Sequence, residues 1–206
     1  MNLKEVYIQL CLNYLNDRDL INLQWTKIEK AYTDSKRYYH GLRHIEHIWI
    51  ELNKVKENVR NWNVILFTMF YHDIVYKAHK QNNEEASAEF AQKVMRKLSV
   101  GEEDIDLCYQ QILATKSHIK STDSDTNYFV DTDLAILGSS GEIYQNYTFQ
   151  IRKEYSIYPD ILYKPGRRKV IQHFLNQEQI FKTDFFRDLY ESKARQNLSN
   201  ELNSLS

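Results

Sequence analysis

Residues 62–77 read Trp62-Asn63-Val64-Ile65-Leu66-Phe67-Thr68-Met69-Phe70-Tyr71-His72-Asp73-Ile74-Val75-Tyr76-Lys77. The run is nearly all apolar and too long for a typical strand, so it predicts a helix buried on every side. A histidine and an aspartate side by side on such a helix demand compensation, because an isolated ionised carboxylate among apolar neighbours is costly. The carboxylate must meet a cation, whether an arginine or a metal ion. Neighbours on a helix diverge by about 100°, yet both can reach an ion lodged where helices converge. Taken alone, a histidine bonded to a backbone carbonyl and an aspartate paired with an arginine is the plainer reading.

Helical spacing continues on either side. Leu3, Val6, Tyr7, Leu10 and Tyr14 form one stripe, and Asp17 or Asp19 suits the cap of a second helix carrying Leu20, Leu23 and Ile28. Leu42, Ile45, Trp49, Leu52, Val55 and Val59 trace a third over four to five turns. Downstream, helices are predicted over 84–98, 103–118, 143–155, 170–175 and 184–201, with 119–127 as loop and 128–137 as a short apolar segment stopped by Gly138. A strand could be written only at 128–130. The 206 residues hold 5 Gly and 2 Pro, a scarcity that argues against turn-rich β architectures. No linker or repeat interrupts the chain. The expected architecture is all-α, a single-domain helical bundle of about eight to ten helices.

The same scarcity removes several function classes. With glycines only at 41, 101, 138, 141 and 166, neither a dinucleotide-binding GxGxxG nor a P-loop can be written, and Gly138-Ser139-Ser140-Gly141 lacks the GxSxG spacing. His44-Ile45-Glu46 has no PCxxC partner for a zinc deaminase, and neither HExxH nor HxxEH occurs. The formal net charge of -1 gives no footprint for a DNA backbone or an anionic membrane. Cys11 and Cys108 are too few for a disulfide framework and suggest a reducing, cytoplasmic setting. The N-terminus carries Lys4 and Glu5 where a signal peptide needs an apolar core, and no stretch reaches spanning length.

Three further clusters shift the balance towards a metal ion. His40 and His44 stand four apart at the start of the third helix. Asp131 and Asp133 sit in an apolar setting, and His118 ends a helix. An imidazole or carboxylate on each of four helices, beside buried apolar residues, is what a metal site inside a helical bundle requires. Mixed imidazole and carboxylate ligation also leaves positions open for water and substrate.

These residues carry a resemblance. The order His, then His-Asp, then a distant Asp, all on helices, resembles the HD-domain superfamily of metal-dependent phosphohydrolases. Tyr39-His40-Gly41-Leu42-Arg43-His44 is similar to the YHNxxH stretch of cyclic-nucleotide phosphodiesterases, with Gly41 in place of their Asn. A small bacterial group of predicted HD phosphohydrolases is closer, through seven ordered pieces: residues 37–40, 71–76, 83–88, 115–118, 131–138, 152–155 and 166–167. The resemblance implies His44, His72, Asp73 and Asp133 as metal ligands, with Asp131 as rival to Asp133. It implies His40 as proton donor to the leaving oxygen, and His118 and Glu84 as a second metal position or as guides for the attacking water.

The expected reaction is hydrolysis of a phosphate ester of a small metabolite or nucleotide by metal-activated water. The divalent ion would be Mn, Mg, Fe, Co, Ni or Zn, with one or two per site. Lys116, Arg152 and Arg167 are expected to clamp non-bridging oxygens, although Arg152 serves equally well as a brace. His47 and His79 are read as exposed and uninvolved, and His173 as a hydrogen-bonded packing residue. A homodimer is permitted. The alternatives are an HD-fold diiron oxygenase and a non-catalytic nucleotide- or metal-binding regulator.

Overall fold

A computed structural model describes residues 2–205. Among these the chain forms ten α-helices and no strand: α1 (Leu3–Leu12), α2 (Arg18–Tyr32), α3 (Leu42–Lys54), α4 (Trp62–Tyr71), α5 (Asn83–Lys97), α6 (Glu102–Ala114), α7 (Ser124–Leu134), α8 (Gly141–Glu154), α9 (Asp160–Leu175) and α10 (Asp184–Ser204). Short 3-10 turns follow α3 (Lys56–Asn58) and α7 (Ala135–Gly138). The chain divides into two compact units that meet at Val130 and Asp131. The sequence, read as one domain, shows no compositional break there because the division falls inside α7.

In the first unit α4 is the axle. Residues 64–71 are all buried, and α1, α3, α5 and α6 pack around them. Both ends of α4 are pinned. Asn61 caps the start, its side chain accepting from Val64 N at 3.2 Å. The buried Asp125 of α7 in turn accepts from Arg60 N at 3.0 Å and Asn61 N at 2.7 Å. Further along, Tyr71 meets Tyr7 of α1 through a buried hydroxyl pair at 2.6 Å.

The helix is shorter than its apolar pattern suggests. It ends at His72, so Asp73 and Ile74 form the turn beyond it rather than a further helical turn. The predicted third helix likewise stops at Lys54 and gives way to a 3-10 turn. Residues 128–130 are helical, and α7 begins four residues earlier than the short apolar segment: Asp123 accepts from the amide and hydroxyl of Thr126, both at 2.7 Å, which caps a helix start inside a stretch that looks like loop.

In the second unit α10 packs on α9 and on the 3-10 turn that follows α7. Gly138 serves close approach here, with an ordinary φ. A Cβ at this position would fall 2.5 Å from Tyr190 Cβ on α10. Asn197, two turns further along α10, donates to Leu137 O at 2.8 Å and Ser139 O at 2.9 Å, satisfying the carbonyls on either side of that glycine. α9 also starts ten residues before the predicted stretch, and it contains Pro165 and Gly166, which hide it from a periodicity reading.

Candidate metal centre

The first unit brings three sequence-predicted ligands together. His44 lies in the first turn of α3 and is 3 % exposed; His72, at the end of α4, is 1 % exposed. Their Nε2 atoms are 3.1 Å apart. Asp73 Oδ2 lies 3.2 Å from His72 Nε2 and 3.8 Å from His44 Nε2, its side chain 16 % exposed. Leaving the helix at His72 is what allows two consecutive side chains to point at one place.

His72 Nδ1 is 3.0 Å from the Met69 carbonyl, which can only accept, so the ring donates from Nδ1. In the neutral ring Nε2 then presents a lone pair to both His44 and Asp73. An imidazolium at His72 would donate Nε2–H to the carboxylate 3.2 Å away, whereas a neutral ring leaves that lone pair for a metal ion. A cation in the middle satisfies all three atoms. Ligand bonds of about 2.0–2.2 Å at octahedral or tetrahedral angles separate neighbouring ligand atoms by about 2.8–3.6 Å, and the two shorter distances fall in that range. The residues therefore fit a metal ion, and the two histidines belong to a group of side chains able to hold one. Burial works against ionisation of Asp73, but the imidazole of His72, backed by His40 and His44, holds its carboxyl well below the usual range.

A surrounding layer fixes these groups. The Arg37 guanidinium donates to the carbonyls of Asp73 at 2.6 Å, Ile74 at 3.0 Å and His40 at 3.4 Å. It thus ties the turn after His72 to the segment that leads into α3, and it lies over the rings of Tyr32 and Tyr76. Tyr76 stacks on His40 with centroids 4.2 Å apart. Phe129 of α7 meets His72 edge-on at 5.4 Å. Sequence reasoning noted Arg37 only as part of a motif and assigned it no role. Its three partners are carbonyls, which leave no trace in a residue pattern.

The other expected site residues are distributed differently. Glu84 stands in the first turn of α5, half-buried. His118 follows α6 with a left-handed φ of 51°, also half-buried. Lys116, expected to clamp phosphate, gives its ammonium to the Glu85 carboxylate and to Gln81 O. In the second unit, Arg152 is a brace: it donates to Asp160 Oδ1 at 2.7 Å and to the carbonyls of Tyr155 and Tyr158, both at 3.1 Å. Arg167 forms a buried two-pronged pair with Glu201, at 2.7 and 2.9 Å. Each of these three cations has a partner within the chain. A buried ion pair and a phosphate clamp leave the same mark in sequence when the partner lies 34 residues away.

Asp131 is committed as well. One of its oxygens accepts from Lys182 N, and the other from Thr183 N and Oγ1, all at 2.7 Å. Burial nonetheless pushes its carboxyl up to about 6. Asp133 stands in the last turn of α7, one helical turn beyond Phe129. His173 is exposed and bonded to Gln177 at 3.1 Å. Among the described residues no helix is long and apolar enough to cross a membrane. Comparison with protein-family models, with curated proteins and with solved structures yields no match.

Proposed function

We propose that the chain is a metal-dependent phosphohydrolase acting on a phosphate ester of a small metabolite or nucleotide. The observation that carries this reading is the meeting of His44 Nε2, His72 Nε2 and Asp73 Oδ2, with both imidazoles buried. The ordered motif pieces that resemble HD phosphohydrolases support it. Asp133 is assigned as the fourth ligand on the resemblance, its rival Asp131 being taken up by Lys182 and Thr183.

A divalent ion held there supplies a water of lowered pKa and neutralises charge on phosphoryl oxygens. The chain's own groups do the rest. His72, oriented by Met69 O, offers its Nε2 lone pair as a ligand, and Asp73 balances positive charge. His40 passes a proton to the leaving oxygen; an imidazole suits this step because its ordinary pKa of about 6.5 lies near ambient pH. Glu84 and His118 are assigned to orienting the attacking water or to a second ion. Cys11 and Cys108 are buried free thiols, consistent with a reducing, cytoplasmic compartment.

The test is elemental analysis of protein purified without chelator, for the native chain, His72→Ala and Asp133→Ala, followed by phosphoester hydrolysis with Mn²⁺. Native protein should carry metal and turn over, and both variants should lose most of the metal. Equal metal content in all three removes the proposed coordination. Metal retained without turnover on mono- and diesters removes the hydrolase assignment.

A further inference from the structure

The corner between α8 and α9 combines exposed apolar side chains with an excess of cations. Ile157 is 67 %, Ile161 80 % and Leu162 61 % exposed, and Phe149 on α8 is 57 % exposed. The corner itself is well tied: Arg152 holds the carbonyls of Tyr155 and Tyr158, Tyr158 N donates to Tyr155 O at 3.0 Å, and Leu162 N donates to Pro159 O at 2.9 Å. These apolar groups therefore project from a braced frame. Three half-buried tyrosines, Tyr155, Tyr158 and Tyr163, stand beside them, with centroids 6.1 and 6.3 Å from Tyr155.

Charge on this stretch is lopsided although the whole chain is nearly neutral. Residues 149–173 hold six Lys and Arg against two acids. Asp160 is bound by Arg152, Glu154 is buried, and Arg167 is consumed by Glu201. Lys153, which lies over the Phe149 ring, with Lys164, Arg168 and Lys169 leaves this stretch more basic than acidic around the exposed isoleucines and leucine. Apolar tips, amphipathic tyrosines and an excess of cations suit a boundary between headgroups and acyl chains. A second copy of this chain seated on the same patch would bring the four cations towards their own equivalents, which an isologous contact disfavours.

We propose that the α8–α9 corner docks the protein peripherally on an anionic phospholipid surface. Ile157, Ile161 and Leu162 enter the headgroup boundary, and the four flanking cations lie at headgroup level. The expectation of no membrane contact came from the overall net charge, which averages this corner away.

Co-sedimentation of the full chain tests it, using vesicles of phosphatidylcholine alone and of phosphatidylcholine mixed with phosphatidylserine. The chain should pellet with the mixed vesicles, remain in solution with the neutral ones, and be released by added salt. Ile161→Gln with Leu162→Gln should weaken binding by about tenfold or more. Lys164→Gln with Lys169→Gln should weaken it by about fivefold for each charge. Ile161, Leu162 and Lys169 are exposed and Lys164 is half-buried, so circular dichroism and Tm should match those of the native chain. Failure to pellet with mixed vesicles, equal pelleting with neutral vesicles, or unchanged binding by either variant overturns the proposal. So does a dimer in sedimentation equilibrium that Ile161→Gln with Leu162→Gln dissolves while no vesicle binding occurs; that result assigns the corner to self-association.

Discussion

Arg37→Met separates the bracing of the candidate metal centre from its ligands. Methionine retains much of the apolar stem between Tyr32 and Tyr76 but has no donor. Three carbonyl contacts disappear, two on the turn after His72 and one on the segment leading to His44. A hydrogen bond from a charged group contributes about 1.5–3 kcal/mol. Of the three, the 3.4 Å contact is weak, and the side chain is half-buried, so water can reach part of what is vacated. A net loss of about 2–3 kcal/mol in unfolding free energy is expected. The effect on metal should be larger, because the turn that presents His72 and Asp73 is no longer tied to the segment that presents His44. Outer partners of metal ligands are typically worth about 10–100-fold in affinity. Urea denaturation of metal-free protein measures the first quantity, and competition with a chromophoric chelator for Zn²⁺ or Mn²⁺ measures the second. Arg37→Lys keeps the charge but loses the fork, and it should recover only part of either. If Arg37→Met loses stability yet binds metal as tightly as the native chain, the guanidinium supports the fold alone and the reasoning fails.

Two further outcomes follow from the first unit. Tyr7→Phe and Tyr71→Phe should each cost about 1–2 kcal/mol, because each leaves the other buried hydroxyl without its 2.6 Å partner; the double variant should cost less than the sum, and additive losses in a denaturation cycle would contradict this. Burial pushes the thiols of Cys11 and Cys108 from 9.0 up to about 12, so native protein should resist alkylation at mildly alkaline pH while denatured protein exposes two thiols. The same shift has a sign. Between about pH 9 and 12 the unfolded chain releases thiol protons that the folded chain retains, so this contribution lowers stability as pH rises through that window.

The fold was legible wherever burial and period agreed. Residues 64–71 announce a core helix by composition alone, and the stripe from Leu42 to Leu52 announces α3. The end of α4 was not legible, because Ile74 and Val75 continue the apolar run after the backbone has turned. α7 began early because Asp123 and Thr126 are residues of both loops and caps, and only their mutual bonds decide which. At the site, His72 and Asp73 could be anticipated from the cost of burying polar groups beside Tyr71, and His44 from the resemblance carried by residues 39–44. The partners of Lys116 and Arg167 could not, since Glu85 and Glu201 lie 31 and 34 residues away and any surface acid would have read the same.

The bond from His72 to Met69 O also has an electrical consequence. Met69 belongs to the last turn of α4, whose final carbonyls have no donors within the helix and gather its negative end, equivalent to about half an elementary charge. One of those carbonyls draws on the Nδ1 proton, so the imidazole ring is polarised and electron density moves to Nε2 on the opposite edge. The donor strength of that nitrogen is therefore raised by ten residues of helical backbone that lie outside the cluster itself. A glutamine at position 72 has no conjugated ring and could not relay that field.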